Sequence, residues 1–202
     1  APARAYSLAR EAEDIAALAA VIGPGTPILA HSYGASATLA ALGAGAPLGP
    51  CVLYEPPAAT DLGPGMPPDA LAEMEVAVAD GDGDRVLELF FARALRLKPR
   101  AIEALRADTS TWAARAALAW TLPREAREVN AHRIDTARLA AVTTPATFLV
   151  GTVTTPALKR STGDAHAAIT EAGLVELGGQ GHAAMDTDPA GFIEAVVAAL
   201  ER

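Results

Sequence analysis

Pro27-Ile28-Leu29-Ala30-His31-Ser32-Tyr33-Gly34-Ala35-Ser36-Ala37-Thr38-Leu39-Ala40-Ala41-Leu42 is the stretch whose reading decides the fold. Pro27 to His31 is short, apolar and bounded by turn residues, which predicts a buried strand. Ala35 to Leu42 is a run of small, helix-favouring residues. Between them stand Ser32, Tyr33 and Gly34. Gly43 to Pro50 reads as a loop, and Cys51 to Tyr54 as a second buried strand, stopped by Glu55-Pro56-Pro57. Strand, helix and strand at this spacing form one βαβ unit, with parallel strands and a right-handed crossover. Upstream, Leu8, Ile15, Leu18, Ala19 and Ile22 repeat at helical spacing. Ser7 caps that helix, with Arg10 rather than Glu three residues on, and Gly23-Pro24-Gly25 ends it.

Downstream, residues 58–68 are rich in Pro and Gly and read as a loop. Residues 69–130 read as helical, punctuated by Asp80-Gly81-Asp82-Gly83-Asp84, Pro99 and Pro123. The five-residue Asp/Gly run suggests a calcium loop at first sight. Position twelve counted from Asp80 is Phe91 where such a loop needs Glu, so a helix-to-helix turn is expected instead. Strand pattern returns at Ala146 to Gly151, a helix follows over 156–172, and Leu174 to Leu177 is a last strand. Gly178-Gly179-Gln180-Gly181-His182 is a loop, and Pro189 to Glu201 a closing helix. The expected organisation is α/β: residues 1–57 and 141–202 form one block with a mostly parallel sheet, and residues 58–140 an all-helical insertion.

Composition narrows the function classes. Of 202 residues, 51% are hydrophobic, which excludes general disorder. Lys+Arg 16 against Asp+Glu 24 gives a net charge of −8, with no basic run, so neither nucleic acid nor an anionic membrane is expected as a partner. Aromatics are only 4%, so the core is expected to be built largely from Ala, Leu and Val. Cys51 is the single cysteine, which forbids an internal disulfide and disfavours a cysteine-built metal site. No apolar run approaches the roughly 18 residues of a membrane span, and the first stretch carries Arg4, Arg10, Glu11, Glu13 and Asp14 rather than a signal pattern. A cytoplasmic location is the expectation. The chain begins Ala1-Pro2-Ala3, without Met, in what reads as a loop.

The chemistry concentrates at two loops. A serine on a tight strand-to-helix turn is pushed out at the carboxyl ends of the strands. Ala30 and Gly34 supply small neighbours there, and the Tyr33 N–H, at the helix N-terminus, can meet a developing oxyanion. A serine that only caps its helix is the competing reading of Ser32. His182, on a glycine-rich loop after the last strand, can take the serine proton and return it to a leaving group. Its competitor is a surface loop histidine. His31 is expected to point to the opposite side of the turn, while His132 and His166 fall in helical segments.

These segments resemble an α/β-hydrolase with a helical cap. Ser7 to Ile15 is similar to the helix before the nucleophile strand, and His31-Ser32-Tyr33-Gly34 to the nucleophile elbow, with Ala30 in place of the usual first Gly. Val52 to Pro57 is similar to the next strand, where the chain leaves for the cap, and Gly179-Gln180-Gly181-His182 to the histidine loop. The resemblance spans essentially the whole chain and implies Ser32 as nucleophile and His182 as base of a catalytic triad. The acid of the family usually follows the strand at 146–150, but the turn Gly151 to Pro156 holds no carboxylate. Some members carry it after the preceding strand, which here is Glu55. Glu55 is preferred over Asp164, a helix away, and over Asp186 and Asp188, expected as caps of the last helix.

The family's strands before the nucleophile strand, and the loop that gives the second oxyanion N–H, have no counterpart here. Pro27 to Ala30 is then expected as an apolar edge. It would be covered by a preceding segment trimmed from the chain (the favoured reading), by a second copy in a homodimer, or by another polypeptide. In the cap, Met66, Met74 and Trp112 are candidate walls of an apolar pocket, against the plainer reading of a helical core stripe. The resemblance implies a serine esterase or thioesterase acting on a small, largely apolar molecule. The alternatives are a non-hydrolytic enzyme on the same scaffold (isomerase, lyase or cofactor-free peroxidase) or an inactive binding protein. No metal or cofactor is expected, since Gly63-Pro64-Gly65 is a turn and not a phosphate cradle.

Overall fold

The computed structural model describes residues 5–23 and 25–201. Pro24 of the helix stop, Arg4 and the opening Ala1-Pro2-Ala3 lie outside the described residues. In chain order the elements are α1 (Leu8–Ile22), β1 (Ile28–His31), α2 (Tyr33–Gly43), β2 (Cys51–Tyr54), α3 (Pro68–Ala79), α4 (Gly83–Leu89), α5 (Pro99–Ala107), α6 (Thr109–Leu118), α7 (Leu122–Ala131), α8 (Thr136–Leu139), β3 (Ala146–Gly151), α9 (Pro156–Ala168), β4 (Gly173–Leu177), α10 (Ala184–Thr187) and α11 (Pro189–Leu200). The chain divides into two compact units. One runs up to Gly63 and resumes at His132; the other is Pro64–Ala131. Residues 58–63 and 132–140, assigned above to the insertion, therefore belong to the first unit. The reason is local: the Ala59 N–H donates to the His132 carbonyl at 3.0 Å, and Leu139 and Val142 are buried in the sheet's core.

The first unit is a four-stranded parallel sheet in the order β1-β2-β3-β4. The register pairs His31 with Tyr54 and Tyr54 with Leu149, so the carboxyl ends of β1 and β2 lie level. Every residue of β2 and β3 is buried, as expected of strands covered on both faces. The period-two alternation sorts their side chains. Cys51, Leu53, Ala146 and Phe148 join a core with Leu39, Ala35, Leu139 and Ala165. Val52, Tyr54 and Leu149 join Leu177, Phe192 and Ala199 on the opposite face. Helix α2 is buried on most of its surface, which explains its run of small residues: Ala35 and Ala41 share one core with Ala12 of α1 and Leu53 of β2, letting the helix approach both closely. Along β1, exposure alternates, and Leu29 keeps 49% of its surface open. On the edge of β1 away from β2, no strand pairs among the described residues.

The second unit has its own core. Met66, Ala70, Met74, Val86, Leu89, Phe91 and Trp112 pack together, the first four at no more than 2% exposure. Helix α4 passes through a π-helical turn at Phe90–Ala94, and a 3-10 turn at Ala119–Thr121 leads into α7, whose Pro123 sits in the first turn where its missing N–H costs no bond. The Asp/Gly run is the helix-to-helix turn the sequence implies. Asp82 accepts from the Arg85 N–H at 2.9 Å as the cap of α4, Asp84 accepts from the Trp112 indole at 2.5 Å, and a Cβ on Gly83 would meet the Ala116 carbonyl at 2.3 Å. Among the described residues no helix is long and apolar enough to cross a membrane.

Element ends moved only slightly from expectation: α9 stops at Ala168 rather than near 172, and α10, a single turn, was not anticipated. Asp188 caps α11 through the Gly191 N–H at 3.2 Å as expected, whereas Asp186 lies within α10.

Phe148, wholly buried at the middle of β3 with its ring 6.0 Å from that of His166, is the largest apolar anchor of the sheet's first face. Phe148→Ala is expected to lower unfolding stability by about 3–5 kcal/mol, read from the denaturant midpoint by circular dichroism. A loss under about 1 kcal/mol would contradict this account of the core.

Candidate active site

Ser32 links β1 to α2 with φ 55° and ψ −126°, a backbone conformation that a residue with a Cβ adopts at a cost. The turn is held from both sides. The Ser32 N–H donates to the Tyr54 carbonyl at 2.9 Å, and the Ser32 carbonyl accepts from Ala35 and Ser36 at 2.9 and 3.1 Å. Ser32 thus opens α2 through its backbone, and its side chain makes no cap bond. The side chain is directed to the ends of the strands instead. Ala30 is packed at 8% exposure, in keeping with a crowded turn. A Cβ on Gly34 would meet nothing within 4 Å among the described residues, so close backbone approach does not account for that glycine.

One residue past β2, Glu55 repeats the pattern with φ 47°. Its side chain is fully buried, and a buried carboxylate is tolerated only when donors surround it. Three do. The Gly151 N–H donates to Oε1 at 2.8 Å, the Thr154 hydroxyl to Oε2 at 2.9 Å, and His182 Nδ1 lies 2.6 Å from Oε2. Because an ionised carboxylate only accepts, Nδ1 carries the ring proton, and Nε2 of the neutral ring is left as an acceptor. The Ser32 Oγ is 2.9 Å from that Nε2. Ser32, His182 and Glu55 therefore form one hydrogen-bonded line, with the histidine side chain 14% exposed. A line of this kind can draw the hydroxyl proton onto the ring while the carboxylate stabilises the resulting cation. Tyr33 follows as the first residue of α2, and its phenol accepts from the Tyr6 hydroxyl at 2.9 Å.

The histidine loop is set against the turn after β3. A Cβ on Gly151 would come within 2.2 Å of the Gln180 carbonyl, and the Val153 N–H donates to that carbonyl at 3.0 Å. The turn Gly151 to Thr155, which has no carboxylate, instead contributes two of the donors that hold Glu55. Sequence reasoning missed both; Thr154 alone could have been suspected, as a hydroxyl where a carboxylate was looked for. Asp164 pairs with Arg160 on α9 at 3.1 Å and takes no part. His166 bonds the Ala172 carbonyl, 3.1 Å away. Met66, Met74 and Trp112 lie inside the core of the second unit, which accounts for them as core residues and corrects their assignment as pocket walls. A cleft of about 590 Å³ in the first unit is bounded by α1, the far end of α2 and residues 132–139, and none of its lining belongs to the serine line.

His31 also departs from expectation. Its ring was expected on the far side of the turn, yet its centroid is 4.5 Å from that of His182. Burial, and then the neighbouring His182, push its imidazole down from 6.5 to about 4. The unfolded chain thus takes this proton first on acidification, and the stability due to a neutral His31 is lost as pH falls from 6.5 toward 4. The stability advantage of the wild-type chain over His31→Gln is expected to shrink across that interval in denaturant titrations. An advantage that stays constant from pH 7 to 4 would contradict it.

A family model described as the alpha/beta hydrolase family matches residues 1–195. An alpha/beta hydrolase from Sphaerobacter thermophilus DSM 20745 is 26% identical, with a TM-score of 0.81 over 97% of this chain and 75% of that one. The enol-lactonase from Burkholderia xenovorans LB400 is 14% identical, with a TM-score of 0.72 over 98% of this chain and 74% of its own. A bromoperoxidase from Bacillus anthracis is 15% identical, with a TM-score of 0.73 over 100% of this chain and 76% of its own. The latter two likenesses are of fold alone. No curated protein matches the sequence. The parallel sheet, the serine turn at its carboxyl edge and the family match over nearly the whole length agree, and the chain belongs to the alpha/beta hydrolase family.

Proposed function

We propose that the protein is a serine hydrolase that cleaves an ester or thioester of a small, largely apolar molecule through an acyl-enzyme. The observation that carries this reading is the continuous line from Ser32 Oγ to His182 Nε2, at 2.9 Å, and from His182 Nδ1 to Glu55 Oε2, at 2.6 Å. Ser32 attacks the substrate carbonyl as its proton passes to His182 Nε2. Glu55 keeps the ring in the tautomer that can accept that proton and offsets the charge of the imidazolium. The Tyr33 N–H, at the start of an eleven-residue helix, faces the developing oxyanion with the favourable end of the helix dipole. His182 then protonates the leaving alcohol or thiol, and the same ring activates the water that releases the acid. Among the described residues, the side chains bonded to the line and to residues 178–182 are those of His31, Tyr54, Thr152, Thr154 and Thr187, none a cation at neutral pH, which suits an uncharged acyl group better than a phosphate or carboxylate. A serine nucleophile also fits acyl transfer better than displacement at carbon by a carboxylate.

A fluorophosphonate probe and a short p-nitrophenyl ester test the reading together. Wild-type protein is expected to be labelled at Ser32 and to turn over the ester, with both lost in Ser32→Ala and His182→Ala. Glu55→Gln should leave the fold intact and lower kcat by about 10³- to 10⁴-fold, because an amide no longer fixes the tautomer. A folded wild-type chain that takes no label would overturn the proposal. Labelling with no turnover across a panel of esters would reassign the site to non-hydrolytic chemistry.

A further inference from the structure

The base of the proposed line is carried by a glycine-rich loop whose backbone is bonded at Gln180, to the Leu177 carbonyl and the Val153 N–H, two residues short of His182. Three of the four residues before His182 are Gly178, Gly179 and Gly181, and Gly179 adopts φ 71°. Glycine-rich segments lose much entropy on ordering, so such a loop samples widely unless tied down. His182 nevertheless meets two partners at once, at 2.9 and 2.6 Å. The carbonyls of Gly181 and His182 are held by side chains from the ends of β1 and β2. Tyr54 donates its hydroxyl to the Gly181 carbonyl and accepts from the Ala184 N–H at 3.2 Å. His31, the residue before the serine, places its Nε2 2.8 Å from the His182 carbonyl oxygen. Its ring also lies 5.1 Å from the Tyr54 ring.

We propose that His31 is a positioning residue: its Nε2–H clamps the His182 carbonyl and, with Tyr54 on Gly181, keeps the base within reach of Ser32. This role rests on the serine hydrolase reading above. A carbonyl oxygen has no proton to give, so the shared hydrogen belongs to His31 and its Nδ1 is bare. A neutral ring suits this place because a protonated one, although it would keep the Nε2–H, would oppose the charge that His182 takes on. Lys or Arg there would set a fixed cation against the imidazolium that forms when the serine proton is taken. Burial keeps His31 neutral down to about pH 4, so it ties the loop without opposing that charge. The arrangement also joins the two moving parts of the reaction. The residue preceding the nucleophile is bonded to the backbone of the base, so the distance between serine and imidazole is set by a link beside the reacting atoms.

Two variants and one measurement on the unaltered chain test this. His31→Phe keeps an aromatic ring in place and removes the donor, while His31→Gln restores an N–H donor of similar reach. With a p-nitrophenyl ester and the fluorophosphonate probe, His31→Phe is expected to lose about ten- to a hundredfold in kcat and in labelling rate, as a displaced base should. KM should stay within about twofold, since ground-state binding is untouched. His31→Gln should recover most of the loss, which a purely space-filling role would not allow. His31→Phe at wild-type rate, or both variants losing alike, would overturn the clamp while leaving the serine reading intact. A wild-type chain that never labels would overturn both. Should His31→Phe fail to fold, nitrogen-15 spectra of the wild-type histidines decide: a neutral His31 with its proton on Nε2 at pH 7 is expected, and a proton on Nδ1 or an averaged mixture overturns the proposal.

Discussion

A carboxylate with no exposed surface is the constraint on which the rest of the site depends. Glu55 sits at the sheet's carboxyl edge, where an ionised group without donors would be costly. Two donors come from the turn after β3, through Gly151 and Thr154, and the third is the His182 ring. Removing any one of them leaves a buried oxygen under-bonded, so the carboxylate, the turn and the histidine loop hold one another in place. This mutual dependence fixes the tautomer of His182, and the tautomer fixes which nitrogen faces Ser32.

The sheet makes the arrangement possible by register. His31 pairs with Tyr54 across β1 and β2, so Ser32 and Glu55 are the residues immediately after a cross-strand pair. Both leave their strands with a positive φ, at 55° and 47°. Two adjacent parallel strands therefore release their side chains at the same edge by the same backbone device. Parallel pairing is essential to this, because in an antiparallel pair the ends would lie at opposite edges. The strain at these two positions is carried by a sheet whose central strands are wholly buried and by an α2 that packs through alanines.

Much of this was legible in the sequence. The short apolar runs at Ile28, Cys51 and Ala146, bounded by turn residues, read as buried strands, and the small-residue helix after Ser32 lies between the first two at a spacing that suits a parallel βαβ unit. The resemblance at the serine turn and the histidine loop pointed to Ser32 and His182, and the absence of a carboxylate between Gly151 and Pro156 turned attention to Glu55. What was not legible depended on three-dimensional neighbours. Thr154 donates across 99 residues of chain, and no local pattern marks such a bond. His31 was assigned to the wrong side because its place follows from the pleat of β1 and not from the turn: Ala30 packs with Leu53 in one core, so the next side chain falls on the opposite face, beside the Tyr54 ring and the histidine loop. Met66, Met74 and Trp112 were ambiguous because an apolar stripe looks the same whether it meets a ligand or a core. The boundaries at Gly63 and His132 were missed because the Ala59–His132 backbone bond that sets them leaves no compositional trace.

The central claim is that Glu55 holds the ring proton of His182 on Nδ1. Proton NMR of the intact chain at neutral pH tests it directly. The account predicts a far-downfield resonance from the proton between Nδ1 and the carboxylate, retained in Ser32→Ala and lost in Glu55→Gln. A spectrum without that resonance, or one unchanged by Glu55→Gln, would contradict it.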